Sequence, residues 1–462
     1  MFVSRLVSIY HPKPQAPARK FSTCKMQEID KFAPKINCQK AGTFSYDTAV
    51  ERWPKILTKI VDHFHRKRQS LMREYGQGAD EDVKRVVANL SEMRYRLSTD
   101  KPITKIEDDL IEDAAVWNDL IDEQREQKGD DFTWFKGDWL FVECYMYRKI
   151  YSGTQQTAFL KKYDYFAEQK KESLEDHVEQ TIELLKHLRE RVEAKETREA
   201  VLEEDLKTIL KISLWGNKAD LSLSGGEKSQ QAKSPVEAAT SRDNYILAND
   251  LDVVVKALLH LGGSRQVDIV LDNAGFELIG DLMLGEYLLS HGLADRVVYH
   301  GKSYPWFVSD TTHADVQWLI IRLCQFDDVN AKWAGLRWRK RYEKDEIAFE
   351  ADPFWTLPHA FCDMKEYAPR LYTQFTESSL LVFKGDLNYR KLTGDRYWPH
   401  VTPFKETLRG FQPCPVLALR AMKAQTAAGL CDSVVQRMRT EFGQDSYEWL
   451  VTGDYALIQY AE

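Results

Sequence analysis

The chain has 462 residues, 43% hydrophobic and 12% aromatic, with a formal net charge of −7. That suits one large soluble enzyme domain or two ordinary ones, and the acidic balance argues against nucleic acid as a partner. No apolar run approaches the roughly 20 residues of a membrane span, and seven scattered cysteines without a Cys-x-x-Cys spacing read as reduced intracellular thiols.

Residues 1–27 form a basic extension, with Arg5, Lys13, Arg19, Lys20 and Lys25 and no acidic residue before Glu28. This composition resembles a mitochondrial transit peptide. Pro12, Pro14 and Pro17 oppose a continuous amphipathic helix there, so a disordered tail or a start at Met26 is the plainer reading. The expected residence is cytoplasmic, extending to the nucleus, with mitochondrial import as the alternative.

Residues 43–224 read as a helical region. Val83, Val87, Leu90, Met93 and Leu97 fall on one face by threes and fours. Trp134, Trp139, Phe141, Tyr145 and Tyr147 recur at helical spacing and predict core. Residues 225–243, rich in Gly, Ser, Lys, Gln and Ala, predict a flexible loop. Residues 244–462 read as an α/β core. Strands are expected at 267–271, 296–300 and 379–384, with a last, edge strand over 455–460. The fold class is α/β, a doubly wound and mostly parallel sheet with a helical N-terminal region.

Two fragments resemble nucleotide-binding loops. Leu223-Ser224-Gly225-Gly226-Glu227 is similar to the signature of ABC ATPases, and Gly301-Lys302-Ser303 to the end of a Walker A loop. The Walker loop needs a glycine where Arg296 stands, so neither supports nucleotide hydrolysis.

Val267–Leu271 delivers Asp272 and Asn273 together to a strand end, with a helix beginning at once. Both offer hard oxygen ligands for a divalent cation, and the helix N-terminus at Ala274 offers N–H groups to a phosphate. A plain helix cap explains Asn273 equally well. Asp310 is either another cap or a third oxygen ligand. Lys384–Lys391 reads as a polar loop able to bind a polyhydroxylated ligand, or as a solvated turn. Arg420 and Lys423 lie three apart, on one face if helical, as a phosphate-binding pair or a surface pair.

Leu271–Leu278, Trp306–Thr312 and Lys384–Arg396, with Trp139–Arg148 and Ser213–Gly226, closely resemble the metal-dependent damage-control phosphatases. The match is to the sugar-phosphate phosphatase branch, also called acidic residue methyltransferase, and runs from about Thr43 to the C-terminus. The resemblance implies that Asp272, Asn273 and Asp310 hold Mn2+, Ni2+, Co2+ or Mg2+ and meet the substrate, with Asp272 as nucleophile or Asp310 as base. It implies substrate contacts from Asp386, Leu387, Asn388, Tyr389 and Arg390, and from Arg420 and Lys423, where Ala421 replaces the threonine of that branch's Arg-Thr-x-Lys motif. Asn217 and Asp220 sit in a motif that faces the site in related enzymes. The implied substrates are small phosphorylated metabolites such as fructose 1-phosphate and fructose 6-phosphate. The rival activity is an S-adenosylmethionine-dependent carboxyl methyltransferase, which would favour a Gly-rich loop after the first strand. Leu261-Gly262-Gly263-Ser264 precedes its strand instead. A non-catalytic binding protein, the other rival, would be expected to lose some of the three ligands, and all are present. The sequence carries no signal of oligomeric state.

Overall fold

The computed structural model describes residues 32–107, 113–129, 132–216 and 234–462. The basic extension, Asn217 and Asp220 therefore lie outside the described residues. These build a seven-stranded sheet: β1 (Ile246–Asn249), β2 (Gln266–Val270), β3 (Arg296–His300), β4 (Ile347–Glu350), β5 (Leu380–Lys384), β6 (Val416–Ala421) and β7 (Ala456–Ala461). Their spatial order is β1-β7-β6-β5-β2-β3-β4. Strands β6, β5, β2, β3 and β4 run parallel; β7 is antiparallel to β6, and β1 parallel to β7.

Side-chain alternation along these strands feeds two separate cores. Val270, Leu381, Phe383, Val416 and Ala418 face one, while Val267, Ile269, Leu380, Val382, Leu417 and Leu419 face the other. Buried on both faces, the strands read as continuous apolar runs, as expected for a parallel sheet covered on both sides.

The expected helical region is divided between these faces. The first core takes α1 (Trp53–Tyr75), α2 (Ala79–Ser98), α3 (Asp113–Lys128) and α4 (Trp139–Gln155). The second takes α5 (Ala167–Glu175), α6 (Val178–Ala194) and α7 (Glu199–Trp215). With them pack α8 (Pro235–Thr240), α9 (Leu251–Leu259), α10 (Phe276–Ser290), α11 (His313–Gln325) and α12 (Val329–Glu343). Two later helices, α13 (Gly385–Thr393) and α14 (Asp432–Phe442), return to the first core. The aromatic run of α4 is core as expected: Trp139, Phe141, Tyr145 and Tyr147 are all buried.

Three expectations need correction. The 455–460 strand is not at the edge, because β1 pairs outside it. β1 is only Ile-Leu-Ala-Asn in a polar stretch, too short for its pattern to register. Of the 225–243 loop, Pro235–Thr240 is helix, started by a reciprocal cap between Ser234 and Glu237 with Pro235 in the first turn. Residues 384–391 form most of α13 rather than a loop. Among the described residues no helix is long and apolar enough to cross a membrane.

Candidate active site

In open α/β sheets, ligands bind beyond the carboxyl ends of the strands where strand order reverses. From β2 the chain builds β3 and β4 on one side, then returns to add β5 and β6 on the other, so the reversal falls between β2 and β5. Asp272 and Asn273 leave the end of β2, and Gly385 and Asp386 leave the end of β5. Lys302 follows β3 and Lys423 follows β6. Four neighbouring strands thus bring their first polar residues to one crevice.

Asn273 and Asp310 face each other across an isolated antiparallel bridge. Ala274 N–H donates to the Ser309 carbonyl at 2.8 Å, and Thr311 N–H to the Asp272 carbonyl at 2.9 Å. Neither Asn273 nor Asp310 is a helix cap. Gly275 stands at the N-cap of α10. Thr312 caps α11, with its hydroxyl and N–H both donating to Asp315. The Asn273 amide instead donates to Asp272 Oδ2 at 2.8 Å and Glu277 Oε2 at 2.7 Å, while Ser309 Oγ donates to its Oδ1. Those bonds set the amide oxygen opposite the nitrogen that links the two carboxylates.

The turn delivering Asp310 is strained. Phe307 has φ 43° and Val308 φ 72°, a region that costs a β-branched residue heavily. It is held by Tyr147, stacked on Phe307 at 4.4 Å, and by the Asp310 N–H to Trp306 carbonyl bond. Strain of this kind persists where surrounding contacts over-determine the backbone.

Burial pushes the Asp272 carboxyl well above its ordinary range, and the nearby Glu277 and Asp310 carboxylates add to the shift against Lys423 and Lys302. Burial likewise raises Asp310, Glu277 and Asp281, opposed by Lys302 at the first and Lys384 at the other two. Burial thus disfavours the charged form at all four carboxyls, and a nearby positive charge restores it. Hard carboxylate and amide oxygens of this kind suit a divalent cation. Among the described residues no three acidic, histidine or cysteine side chains are gathered for a metal; the trio combines two carboxylates with an amide oxygen.

The remaining expected residues divide. Asp386 Oδ1 accepts from Arg420 Nε at 2.8 Å and from Lys423 N–H at 3.0 Å. Arg420 lies in β6 rather than on a helix, and also donates to the Thr426 and Ala424 carbonyls, so it braces the loop carrying Lys423. Leu387 packs in the core. Asn388 Nδ2 donates to Lys384 O at 2.8 Å and Leu271 O at 3.2 Å, stapling β5 to the end of β2. Tyr389 lies under the Arg420 guanidinium. Arg390 donates to Asp395 and Glu143 and covers Trp139. The side chains of 387–390 are therefore committed to the scaffold, and the α13 backbone faces the site.

That backbone comes very close. Gly385 has φ +80°, and a Cβ there would stand 2.6 Å from Asp272 Cβ. Lys384 at the N-cap gives no side-chain bond, so the first-turn N–H groups of α13 are uncapped. The helix start after Asp272-Asn273, expected to receive phosphate, is instead closed over. Ala274 N–H goes to Ser309, and a Cβ at Gly275 would stand 2.8 Å from the Lys170 carbonyl of α5. The anion-ready helix is the one after β5.

The sequence pattern gives Glu277, Asp281 and Ser213 no role of their own, and presents Lys384 only as the start of a polar loop. Lys384 Nζ bonds Asp281 at 2.8 Å and the Ser213 carbonyl, and Ser213 Oγ bonds Asp281 at 2.6 Å. Glu277 and Asp281, four apart on α10, were legible as one helix face. Lys302 shows in the sequence only as part of a fragment similar to a Walker loop.

Fold and site define a doubly wound α/β protein with a buried acidic centre at its topological switch point. A sequence profile of the damage-control phosphatase ARMT1-like domain matches residues 48–438. The chain belongs to this family and is a phosphatase. It is 40% identical over 439 residues to the damage-control phosphatase ARMT1 of Danio rerio, covering 92% of this chain and 96% of that one. To the protein of the same description from Homo sapiens it is 37% identical over 438 residues, covering 92% and 98%. Among solved structures, a DUF89 family protein from Pyrococcus horikoshii aligns over 76% of this chain and 90% of its own, with 14% identity and a TM-score of 0.38.

Proposed function

We propose that this phosphatase hydrolyses phosphomonoesters of small phosphorylated metabolites, with fructose 1-phosphate and fructose 6-phosphate as the candidate substrates. The observation that carries the proposal is the convergence of Asp272, Asn273 and Asp310 with Lys423 and the uncapped start of α13. Asp272, Asn273 and Asp310 would hold a divalent cation, Mg2+, Mn2+, Co2+ or Ni2+. Bound there, it would polarise a phosphoryl oxygen and stabilise the leaving and attacking oxygens.

The chain's own groups supply the rest. The first-turn N–H groups of α13 and the Lys423 ammonium receive the non-bridging phosphoryl oxygens. Asp386, fixed by Arg420, keeps the β6 loop and the start of α13 in register with one another. Asp272 and Asp310 are the catalytic pair. Either Asp272 attacks phosphorus as the P–O bond to the sugar breaks, leaving an acyl-phosphate that water then hydrolyses, or Asp310 takes the proton of a water that attacks phosphorus directly. In both routes the sugar leaves through its ester oxygen, which ends protonated. An acyl-phosphate trapped on Asp272 separates the two routes.

The test is phosphate release from a panel of sugar phosphates across the four metals, with and without EDTA, repeated with Asp272→Ala. Activity lost to chelation, restored by metal and absent in the variant is expected. No release with any metal and substrate pair, or an unimpaired variant, sinks the proposal.

A further inference from the structure

The Gly301-Lys302-Ser303 fragment lacks the first glycine of a Walker loop, but the fold places its lysine with care. Lys302 is the second residue beyond β3, and its side chain is 2% exposed. Its N–H donates to the Thr311 carbonyl at 2.9 Å, within a parallel bridge between Lys302 and Thr312. A Cβ at Gly301 would stand 2.6 Å from that same carbonyl, so only glycine lets the two loops meet this closely. The result is Lys302 Nζ at 3.2 Å from Asp310 Oδ2, an oxygen that accepts no aligned hydrogen bond. Two other lysines act on Asp310 from farther off, and each is engaged elsewhere. Lys391 Nζ donates to the Trp355 and Leu357 carbonyls, and Lys170 Nζ to Asp315 and Asp164.

We propose that Lys302 is a positioning residue that makes cation binding conditional on phosphate: its ammonium is the counter-ion of Asp310 in the free site and opposes a divalent cation there until an anion enters the crevice. The inference rests on the cation assignment above. Charges in a site this buried are poorly screened, so an ammonium beside Asp310 disfavours a second positive charge at the same carboxylate. A phosphate anion reverses the balance, since it attracts Lys302 and the cation alike. Cation and phosphate then raise each other's affinity by one common factor, as linkage requires.

The probes are Mn2+ alone and inorganic phosphate alone, each titrated calorimetrically into the full chain. Lys302→Gln is expected to bind Mn2+ about tenfold more tightly than the wild type, and phosphate about tenfold more weakly. These shifts have opposite sign, which structural damage does not produce, since a distorted site weakens both. Weaker binding of both ligands, or no change in either, overturns the proposal. Lys302→Arg keeps the charge and is expected to hold both affinities within about threefold; a glutamine-like pattern there also overturns it. Should Lys302→Gln not fold, Asp310→Asn tests the same idea from the other side. It leaves the ammonium without its counter-ion, so phosphate alone should bind more tightly while Mn2+ binds more weakly, and weaker phosphate binding refutes the role. A wild type that binds no divalent cation even with inorganic phosphate present removes the cation assignment itself, a separate failure read before any variant is made.

Discussion

Gly385→Ala isolates the closest approach in the site. The added Cβ would overlap the Asp272 carboxylate and stand 2.6 Å from Asp272 Cβ. Carbon atoms pack at about 3.5–4.0 Å, so the start of α13 and the end of β2 must part by about 1 Å. A displacement of about 1 Å in a catalytic constellation costs roughly 100-fold in rate, equivalent to about 2.7 kcal/mol of transition-state stabilisation. The left-handed backbone at 385 adds a folding cost of about 1–2 kcal/mol for any residue with a Cβ. Gly394→Ala supplies the control. Gly394 ends the same helix with φ +74°, and its Cβ would press on the Arg409 guanidinium rather than on Asp272. Both variants should lose similar stability in urea denaturation, while only Gly385→Ala loses kcat/KM for phosphate release. Turnover within threefold of wild type in Gly385→Ala, or an equal loss in Gly394→Ala, refutes the argument that contact with Asp272 governs the site.

Three further outcomes follow from buried groups and a cap. Asp113→Asn weakens the ion pair with Arg148, whose Nη2 lies 2.7 Å from Asp113 Oδ1 and whose side chain is fully buried; a loss of about 3 kcal/mol is expected in urea denaturation. Burial lowers the Lys391 amine to about 8. In the unfolded chain it returns to roughly 10.4, so the unfolded state binds more protons between those values and stability rises with pH across that window. The rise from this group is on the order of 3 kcal/mol, and Lys391→Met should flatten it in denaturation midpoints taken from pH 7.5 to 10. Ser234→Ala removes the oxygen that accepts the Glu237 N–H and should cost about 1 kcal/mol or less, seen as faster proteolysis near 235–240 with phosphate release unchanged.

The legible parts were those where one pattern dominated. β2 and the residue after it carry Val-Asp-Ile-Val-Leu and then Asp-Asn, so both the strand and its polar end stood out. β5 did so as well. β4 and β6 did not, because Ile347–Glu350 is short and follows a charged helix, while Val416–Ala421 runs straight into Arg420, whose spacing to Lys423 also fits a helix. Long-range pairings were beyond any local pattern. Nothing near Asp310 in sequence says that its strained turn pairs with Asn273, 37 positions away, or that Lys302 lies against it. The position of α13 was hidden for a similar reason: Lys-Gly-Asp-Leu-Asn looks like a turn until Gly385 is seen to start a helix against Asp272.

The helical N-terminal region is part of the site's scaffold as much as its cover. Arg390, on the helix that abuts Asp272, donates to Glu143 of α4 at 2.6 Å, and Glu143 also accepts from Trp53 of α1 at 3.1 Å. Tyr147, one turn along α4, stacks on the turn that aims Asp310. One helix therefore fixes α13 through an ion pair and the Asp310 turn through ring stacking. A substitution in α4 far from any reacting atom, such as Glu143→Gln, leaves Arg390 buried with one carboxylate instead of two. Its effect should reach α13 and with it the N–H groups proposed to receive the phosphate, read as a lower kcat/KM for phosphate release. That route explains why residues 53–155 pack on the sheet beside the site instead of folding apart from it.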